Sequence, residues 1–367
     1  GEEFEIARFR SDEGSDGRRP QKIKFVKTIE EDLARRDFTI NAMAYHRSKG
    51  FLDLYGGEED LKKKRIRLVG NPIERIREDG LRIMRAFRFV SHLGFHLVEN
   101  TKRAIAQEKQ MLKKIAKSRI TEEWNKLVVG DFVAKTLEMM KETGALEIIL
   151  PSLKLCYNFN QNTPYHCYDL WEHTLHVVNL VPNDLVLRLA AIFHDIGKPL
   201  TKTVDERTGY YHFYGHEKKG AEIIGRILQG ELEEANAIRK EVEFLIANHM
   251  LLHQNTDEKS IRKMISRFGE ERSRKLIQLS VADNLAKDLK KISEKNPEEL
   301  FYKIIEEEKI PGLSDLAING FDLMELGYVG KNIQEIKEYL LEEVVEGKIE
   351  NEHTVLWEAA KKKSCEK

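Results

Sequence analysis

The stretch His194-Asp195-Ile196-Gly197-Lys198 holds an imidazole, a carboxylate and an ammonium within five residues. It follows the apolar run Leu189 to Phe193, so His194 and Asp195 stand near a helix end from which both could turn toward one ion. Other groups of the same kind recur along the chain. They are Trp171-Glu172-His173 with His176 three residues on, Gly215-His216-Glu217, Asn248-His249 and Val281-Ala282-Asp283-Asn284. Imidazole and carboxylate together suit divalent transition metals. A lone histidine is more often a core or surface residue, but five around a His-Asp-x-Gly-Lys stretch point to a metal site.

A second kind of chemistry stands earlier. In Arg35-Arg36-Asp37-Phe38-Thr39-Ile40-Asn41-Ala42-Met43-Ala44, a helical reading puts Asp37 and Asn41 on one face. A carboxylate and an amide so placed can grip a ribose hydroxyl or lock a loop, and Arg36 offers a forked cation suited to phosphate. The plainer reading is a capped helix with a salt bridge. In Glu78-Asp79-Gly80-Leu81-Arg82-Ile83-Met84-Arg85-Ala86-Phe87-Arg88, the residues Asp79, Arg82, Arg85 and Arg88 step by three. On a helix they form one drifting stripe beside the apolar stripe Leu81, Met84 and Phe87. Three stacked arginines need an anion, which nearby carboxylates or a triphosphate would supply. An acceptor followed one turn later by a donor fork can also read the edge of a base.

The elements that would position these groups are mostly helices. Residues 4 to 10 alternate as a strand, 11 to 20 read as a turn-rich loop, and Ile23 to Val26 as a short strand. From Ile29 to Ala44 the periodicity is helical, and after Gly56-Gly57 nearly everything is. Breaks fall near Asn71-Pro72, Pro151, Pro164, Pro199 to Gly209, Asn255 and Pro311-Gly312. No repeat or low-complexity segment interrupts the pattern.

At 367 residues with 41% hydrophobic content, two or more cores are expected. No apolar run approaches the roughly 20 residues that span a bilayer, so no membrane association is expected, and the polar start Gly1-Glu2-Glu3 has no secretory character. Cys156, Cys167 and Cys365 are odd in number and form no CxxC site, which fits a reducing cytoplasm. Residues 1–125 hold 28 Lys and Arg against 21 Asp and Glu, so the net charge of −1 hides about +7 there and about −8 beyond. A basic first third suits a polyanionic partner.

Together these motifs resemble the class II CCA-adding tRNA nucleotidyltransferases and the related bacterial poly(A) polymerases, over about residues 4 to 155. Arg35 to Ala44 is similar to the family's ribose-recognition motif, and Asp53-Leu54-Tyr55-Gly56-Gly57-Glu58-Glu59-Asp60-Leu61 to its DxxxGxxDL hinge. Glu78 to Arg82 resembles the EDxxR base-selecting motif. Ser118 to Glu123 resembles the buttressing neck motif, and Asp16-Gly17-Arg18-Arg19-Pro20 the flexible loop of the switch from C to A addition. The resemblance implies that Arg36 contacts phosphate, that Asp37 and Asn41 organise the ribose site, and that Asp79 and Arg82 read CTP and then ATP. It implies that Arg85 and Arg88 complete the pocket. The later histidines resemble the HD phosphohydrolases. That likeness implies one metal on His173, His194, Asp195 and Asp283, a second on His216 and His249, and Lys198 near phosphate. Leu316 to Gly327, Gly330-Lys331 and a helix from Ile333 to Val345 resemble the tRNA-holding tail of such enzymes.

The family's Asp-x-Asp pair, which holds Mg²⁺ for nucleotidyl transfer, occurs nowhere in residues 1–367. The expectation is that this chain alone lacks the transferase metal site and that its head is incomplete. The expected fold is α+β and predominantly helical. It has a remnant of the head sheet (1–46), a helical neck and body (47–150), an all-α HD domain (151–295) and a helical tail (296–367). The expected function is CCA addition to tRNA from CTP and ATP, with Mg²⁺ for transfer, a transition metal in the HD domain, and a cytoplasmic location. The alternatives are a poly(A) polymerase or split A-adding enzyme, an HD phosphohydrolase with a degenerate RNA-binding front, or a tRNA-binding fragment.

Overall fold

The computed structural model describes residues 7–15, 20–162, 168–252, 257–287, 296–307 and 309–365. Contacts divide it into two compact units, Gly1–Ala247 and Asn248–Lys367. The described elements are helices with a few two-stranded pairings, so the predominantly helical α+β class expected above is the class observed.

The first unit opens on an antiparallel hairpin, β1 (Arg10–Ser15) and β2 (Pro20–Phe25), with Arg10 opposite Phe25. This corrects, at residues 11–15, the loop expected over 11 to 20 and, at residues 7–9, the strand expected at 4 to 10. The strand expected from Ile23 falls in β2, where Ile23 and Phe25 alternate with lysines, whereas β1 is polar throughout and has no alternation to announce it. Residues 4–6 and 16–19, and with them most of the Asp16-to-Pro20 loop, lie outside the described residues.

Helix α1 (Ile29–Ala34) is shorter than its periodicity predicts. Phe38 is extended, at φ −121° and ψ 147°, and only a 3-10 turn, Thr39–Asn41, follows. Asp37 and Asn41 therefore share no helix face, contrary to expectation. The cause is tertiary. Phe38 is fully buried and sits edge-on to Phe89, with ring centroids 5.3 Å apart. The Thr39 N–H donates to the Arg67 carbonyl at 3.0 Å, and the Val69 N–H to that of Asp37 at 3.0 Å. Cross-chain pairing outweighs local helix propensity here.

Strands β3 (Met43–His46) and β4 (Gly50–Asp53) form a second hairpin leading to α2 (Gly57–Lys62). The hinge motif now has physical causes. The Asp53 carboxylate accepts from the N–H groups of Tyr55, Gly57 and Glu58, capping α2. At Gly57 a Cβ would lie 2.3 Å from the Thr39 carbonyl oxygen, so only glycine fits. Buried Asp60 accepts from the Thr39 hydroxyl at 2.8 Å and from Arg67 Nε at 2.8 Å. Asp53, Gly57 and Asp60 together fasten α2 to the turn that follows Asp37.

Strands β5 (Arg65–Ile66) and β6 (His96–Leu97) pair in parallel around α3 (Pro72–Glu78) and α4 (Leu81–Leu93). Asn71 caps α3, its side chain accepting from the Ile73 N–H. Next come α5 (Glu99–Glu108), α6 (Lys117–Val128), α7 (Val133–Thr143) and α8 (Leu146–Ile149). The predicted apolar stripe Leu81, Met84 and Phe87 is buried, with α4 packed on α6 and α7. Cys156, in the 3-10 turn Pro151–Cys156, is buried, and that burial pushes its thiol up to about 12. Cys167 lies outside the described residues.

Helix α9 (Leu170–Leu180) starts with a capping box in which Asp169 and Glu172 satisfy each other's backbone. Then come α10 (Leu185–Phe193), the single turn α11 (Lys198–Thr201), the small hairpin β7 (Thr203–Val204) and β8 (Tyr211–His212), α12 (His216–Gly230) and α13 (Asn236–Asn248). Arg188 of α10 is buried. It donates Nη1 to the Val178 carbonyl at 2.6 Å, Nε to that of Pro182 at 3.1 Å, and Nη2 to the Asn183 side chain. It thus closes the C-terminus of α9. Arg188→Ala should lower the unfolding free energy by about 2 kcal/mol, because buried carbonyls lose their donors. Chemical denaturation reads this, and an unchanged midpoint would mean that water replaces the guanidinium.

The second unit holds the 3-10 turn His249–Leu252, α14 (Glu258–Phe268), α15 (Glu270–Lys287), α16 (Pro297–Glu307), α17 (Gly320–Glu325), α18 (Lys331–Val345) and α19 (His353–Cys365). Its tail core is Leu323, Tyr328, Ile336, Leu340, Leu356 and Ala360, and the Tyr328 hydroxyl donates to the Ala360 carbonyl at 2.9 Å. Among the described residues no helix is long and apolar enough to cross a membrane.

Candidate functional site

The first unit gathers part of the predicted metal set. α9 supplies His173, the residue after α10 is His194, Asp195 follows it, and His216 opens α12; all four are buried. His194 Nε2 lies 3.1 Å from Asp195 Oδ2, and His216 Nε2 lies 3.2 Å from Asp195 Oδ1. His173 Nε2 stands 3.6 Å from Asp195 Oδ2 and 3.3 Å from His194 Nε2. His194 Nδ1 donates to the Ala191 carbonyl at 2.9 Å, and His216 Nδ1 to that of Phe213 at 2.8 Å. Those bonds orient each ring so that its Nε2 faces the shared carboxylate. Ligand atoms of His173, His194 and Asp195 all lie within 4.8 Å of one another, so this donor set fits a divalent cation.

Electrostatics agree with that fit. Burial pushes the Asp195 carboxyl up, but neighbouring His194 and Lys198 outweigh it and hold it well below the usual range. Lys198 Nζ lies 2.7 Å from Asp195 Oδ2 and donates to Gln161 Oε1 at 2.8 Å. At Gly197 a Cβ would lie 2.1 Å from the His216 carbonyl oxygen, so α12 rests directly on that backbone. His176 takes no part and packs its ring on Tyr168, centroids 4.4 Å apart. His249 and Asp283 belong to the second unit. Both are buried there, Asp283 2.8 Å from Lys287 Nζ, with α15 packed on the turn that carries His249.

The nucleotide-selecting candidates gather around α4. Asp37 Oδ1 accepts from the Phe38 N–H at 2.9 Å, and its Oδ2 takes Arg85 Nε and Nη2 at 2.6 and 2.5 Å. Arg36, partly exposed, donates to the Asn41 carbonyl at 3.2 Å and lies 3.5 Å from buried Asp32. Arg82 Nη1 donates to Glu78 at 2.8 Å and to the Arg75 carbonyl at 2.6 Å. Arg88 Nε donates to Glu123 at 2.7 Å.

The predicted four-member stripe needs correction. Asp79 is extended, at φ −149° and ψ 105°, and lies before α4. At Gly80 a Cβ would lie 2.8 Å from the Met111 carbonyl oxygen, and the chain breaks between α3 and α4 there. Asp79 instead accepts from the Leu81 N–H at 3.0 Å and lies 3.6 Å from Arg119. Carboxylates meet each stripe arginine: Glu78 for Arg82, Asp37 for Arg85 and Glu123 for Arg88.

Sequence reasoning missed Gln161 and Arg75. Gln161 stands in an Asn-rich stretch with no periodicity to mark it. Arg75 had a signal, since Arg75 and Arg82 flank Glu78 at three and four residues.

Residues 1–67 match the family model of the poly A polymerase head domain, and residues 94–156 that of a probable RNA and SrmB-binding site of polymerase A. Residues 165–288 match the HD domain. A CCA-adding enzyme of Geobacillus thermodenitrificans is 46% identical over 154 residues, 42% of this chain and 38% of that protein. One of Bacillus licheniformis is 38% identical over 189 residues, 50% of this chain and 48% of that protein. The matched stretches thus span less than half the length of these relatives. In fold, the chain is similar to a Bacillus stearothermophilus CCA-adding enzyme solved in complex with CTP. The TM-score is 0.67 at 24% identity, over 98% of this chain and 78% of that one. A Thermotoga maritima CCA-adding enzyme solved with tRNA gives 0.53 at 21% identity, over 90% and 73%.

Proposed function

We propose that this member of the poly(A) polymerase-type nucleotidyltransferase family, which carries an HD domain behind its RNA-binding segment, serves template-independent addition of CCA to tRNA 3′ ends from CTP and ATP. The observation that carries the reading is the pairing of Asp37 with Arg85 across 48 residues, which brings the ribose motif onto the base-selecting helix. Arg36 then offers its exposed fork to phosphate, Asp37 and Asn41 hold the ribose site, and Asp79 with Arg82 reads the base. Discrimination follows because a wrong base leaves buried polar groups unpaired. Mg²⁺, when bound by an Asp-x-Asp pair, supplies neutralisation of the triphosphate and activation of the 3′ hydroxyl.

A second activity is favoured by the His173, His194, Asp195 and His216 cluster. A transition metal held there would supply Lewis-acid activation of a phosphoester, and Lys198 would hold the phosphate. A cytoplasmic location is part of the same proposal.

Labelled CTP and ATP, with Mg²⁺, are offered to tRNA lacking its CCA end. The chain is tested alone and with a head segment bearing Asp-x-Asp. Incorporation of C and then A only when that segment is present is expected. Failure in both arms would overturn the CCA reading, and incorporation of ATP alone would replace it with the A-adding one.

A further inference from the structure

We infer that Arg75 is the positioning residue of the nucleotide site, fixing the phosphate- and ribose-binding backbone to the base-reading arginine; this rests on the nucleotide reading above. Its side chain is only 12% exposed. One guanidinium nitrogen, Nη2, donates to the carbonyls of both Arg35 and Arg36, at 2.5 and 2.8 Å. The other, Nη1, donates to Glu78. The carbonyl of Arg75 in turn accepts from Arg82 Nη1 at 2.6 Å, and Glu78 Oε2 takes the same nitrogen at 2.8 Å.

Arg75 therefore grips both motifs at once, one through its side chain and the other through its main chain. The Arg35 and Arg36 carbonyls lie just past α1, where a helix leaves its last acceptors without intrahelical donors. A forked cation beside them satisfies those acceptors and suits the negative end of the helix. It also fixes the peptide planes from which the Arg36 and Asp37 side chains project. Arg85 holds the Asp37 carboxylate and the Val69 N–H the Asp37 carbonyl, while Arg75 holds the two carbonyls before it, those of Arg35 and Arg36. A lysine keeps the charge but lacks the planar fork that reaches two carbonyls and Glu78 together. Arg75 reaches the Arg36 and Arg82 positions through carbonyl contacts, so its influence runs through their geometry.

Binding of CTP and of UTP, with Mg²⁺, is measured by titration calorimetry on the full chain and on Arg75→Lys. Arg188→Met serves as a control that perturbs only stability. Arg75→Lys should bind CTP about tenfold more weakly, as expected for loss of a charged clamp, and its preference for CTP over UTP should shrink. The control should lose at least as much thermal stability yet keep both affinities. Hydrogen exchange on the unaltered chain supplies a readout that needs no variant: CTP should slow exchange of residues 35–41 and 75–85 together. A chain that binds neither nucleotide would overturn the nucleotide reading and this inference with it. A chain that binds CTP while Arg75→Lys binds it equally well, or in which only one of the two segments is protected, would overturn this inference alone.

Discussion

Gly197→Ala should both destabilise the protein and abolish divalent-cation binding at the histidine cluster. Gly197 has φ −76° and ψ −21°, a conformation alanine adopts freely. At such positions the substitution ordinarily stabilises by about 0.4–1 kcal/mol, through the unfolded chain. Here the added carbon would meet the His216 carbonyl oxygen at 2.1 Å and the Gly220 nitrogen at 2.8 Å. Both belong to the backbone of α12, so no side-chain rotation relieves the contact. The helix must retreat by about 1 Å to restore van der Waals distance, carrying His216 away from Asp195. Overpacking of this kind costs about 3 kcal/mol. Thermal melting and a Mn²⁺ titration read the two effects separately. A variant as stable as its parent, binding Mn²⁺ equally, would show that α12 does not rest on Gly197.

Asp195→Asn is the second large effect. All four nearby cations or imidazoles meet this one carboxylate, so its loss should weaken Mn²⁺ binding at least about 100-fold. Without metal, the change also leaves Lys198 buried beside a neutral amide, and such an uncompensated charge costs about 3 kcal/mol. Adding Lys198→Met should recover much of that stability and none of the metal affinity, and a double-mutant cycle measures the coupling. The pH dependence has a definite sign. A carboxyl held below its ordinary value contributes stability that is present above 3.8 and lost as the pH falls toward its folded-state value. The gap between Asp195 and Asp195→Asn proteins should therefore be full at neutral pH and narrow only in acid. A gap that widened in acid would mean that Asp195 is protonated in the fold.

Motifs and helical periodicity announced much of this architecture. The apolar stripe of Leu81, Met84 and Phe87 is buried as its spacing predicts, and His173, His194, Asp195 and His216 converge. The failures share one cause, which is that partners distant along the chain decided the local conformation. Phe38 left the helical path because it buries against Phe89 and bridges Leu68. Asp79 left the arginine stripe at a glycine whose Cβ position is crowded by Met111, a residue 31 positions on. The first strand of the first hairpin, Arg10–Ser15, is polar throughout, so its backbone pairing leaves no trace in residue type. Glycines 57, 80 and 197 each sit in a recognised motif, yet the reason for each is a carbonyl oxygen from elsewhere in the chain.

The tethered carboxylates on Arg82, Arg85 and Arg88 have a consequence for selectivity. A bare row of guanidinium groups would collect sulfate, stray phosphate or any stretch of nucleic-acid backbone, since such attraction is indifferent to sequence. Here each cation already has an anion of its own, held at the high effective concentration that covalent attachment provides. An incoming polyphosphate gains only the difference between its own contacts and those it displaces. Ligands offering charge alone exchange one ion pair for another and gain little. On the proposed reading, a ligand that also contacts Asp79 and Arg82 through its base has a surplus the others lack. Internal neutralisation thus turns a general anion trap into a threshold, passed by molecules that carry shape and hydrogen-bonding pattern as well as charge.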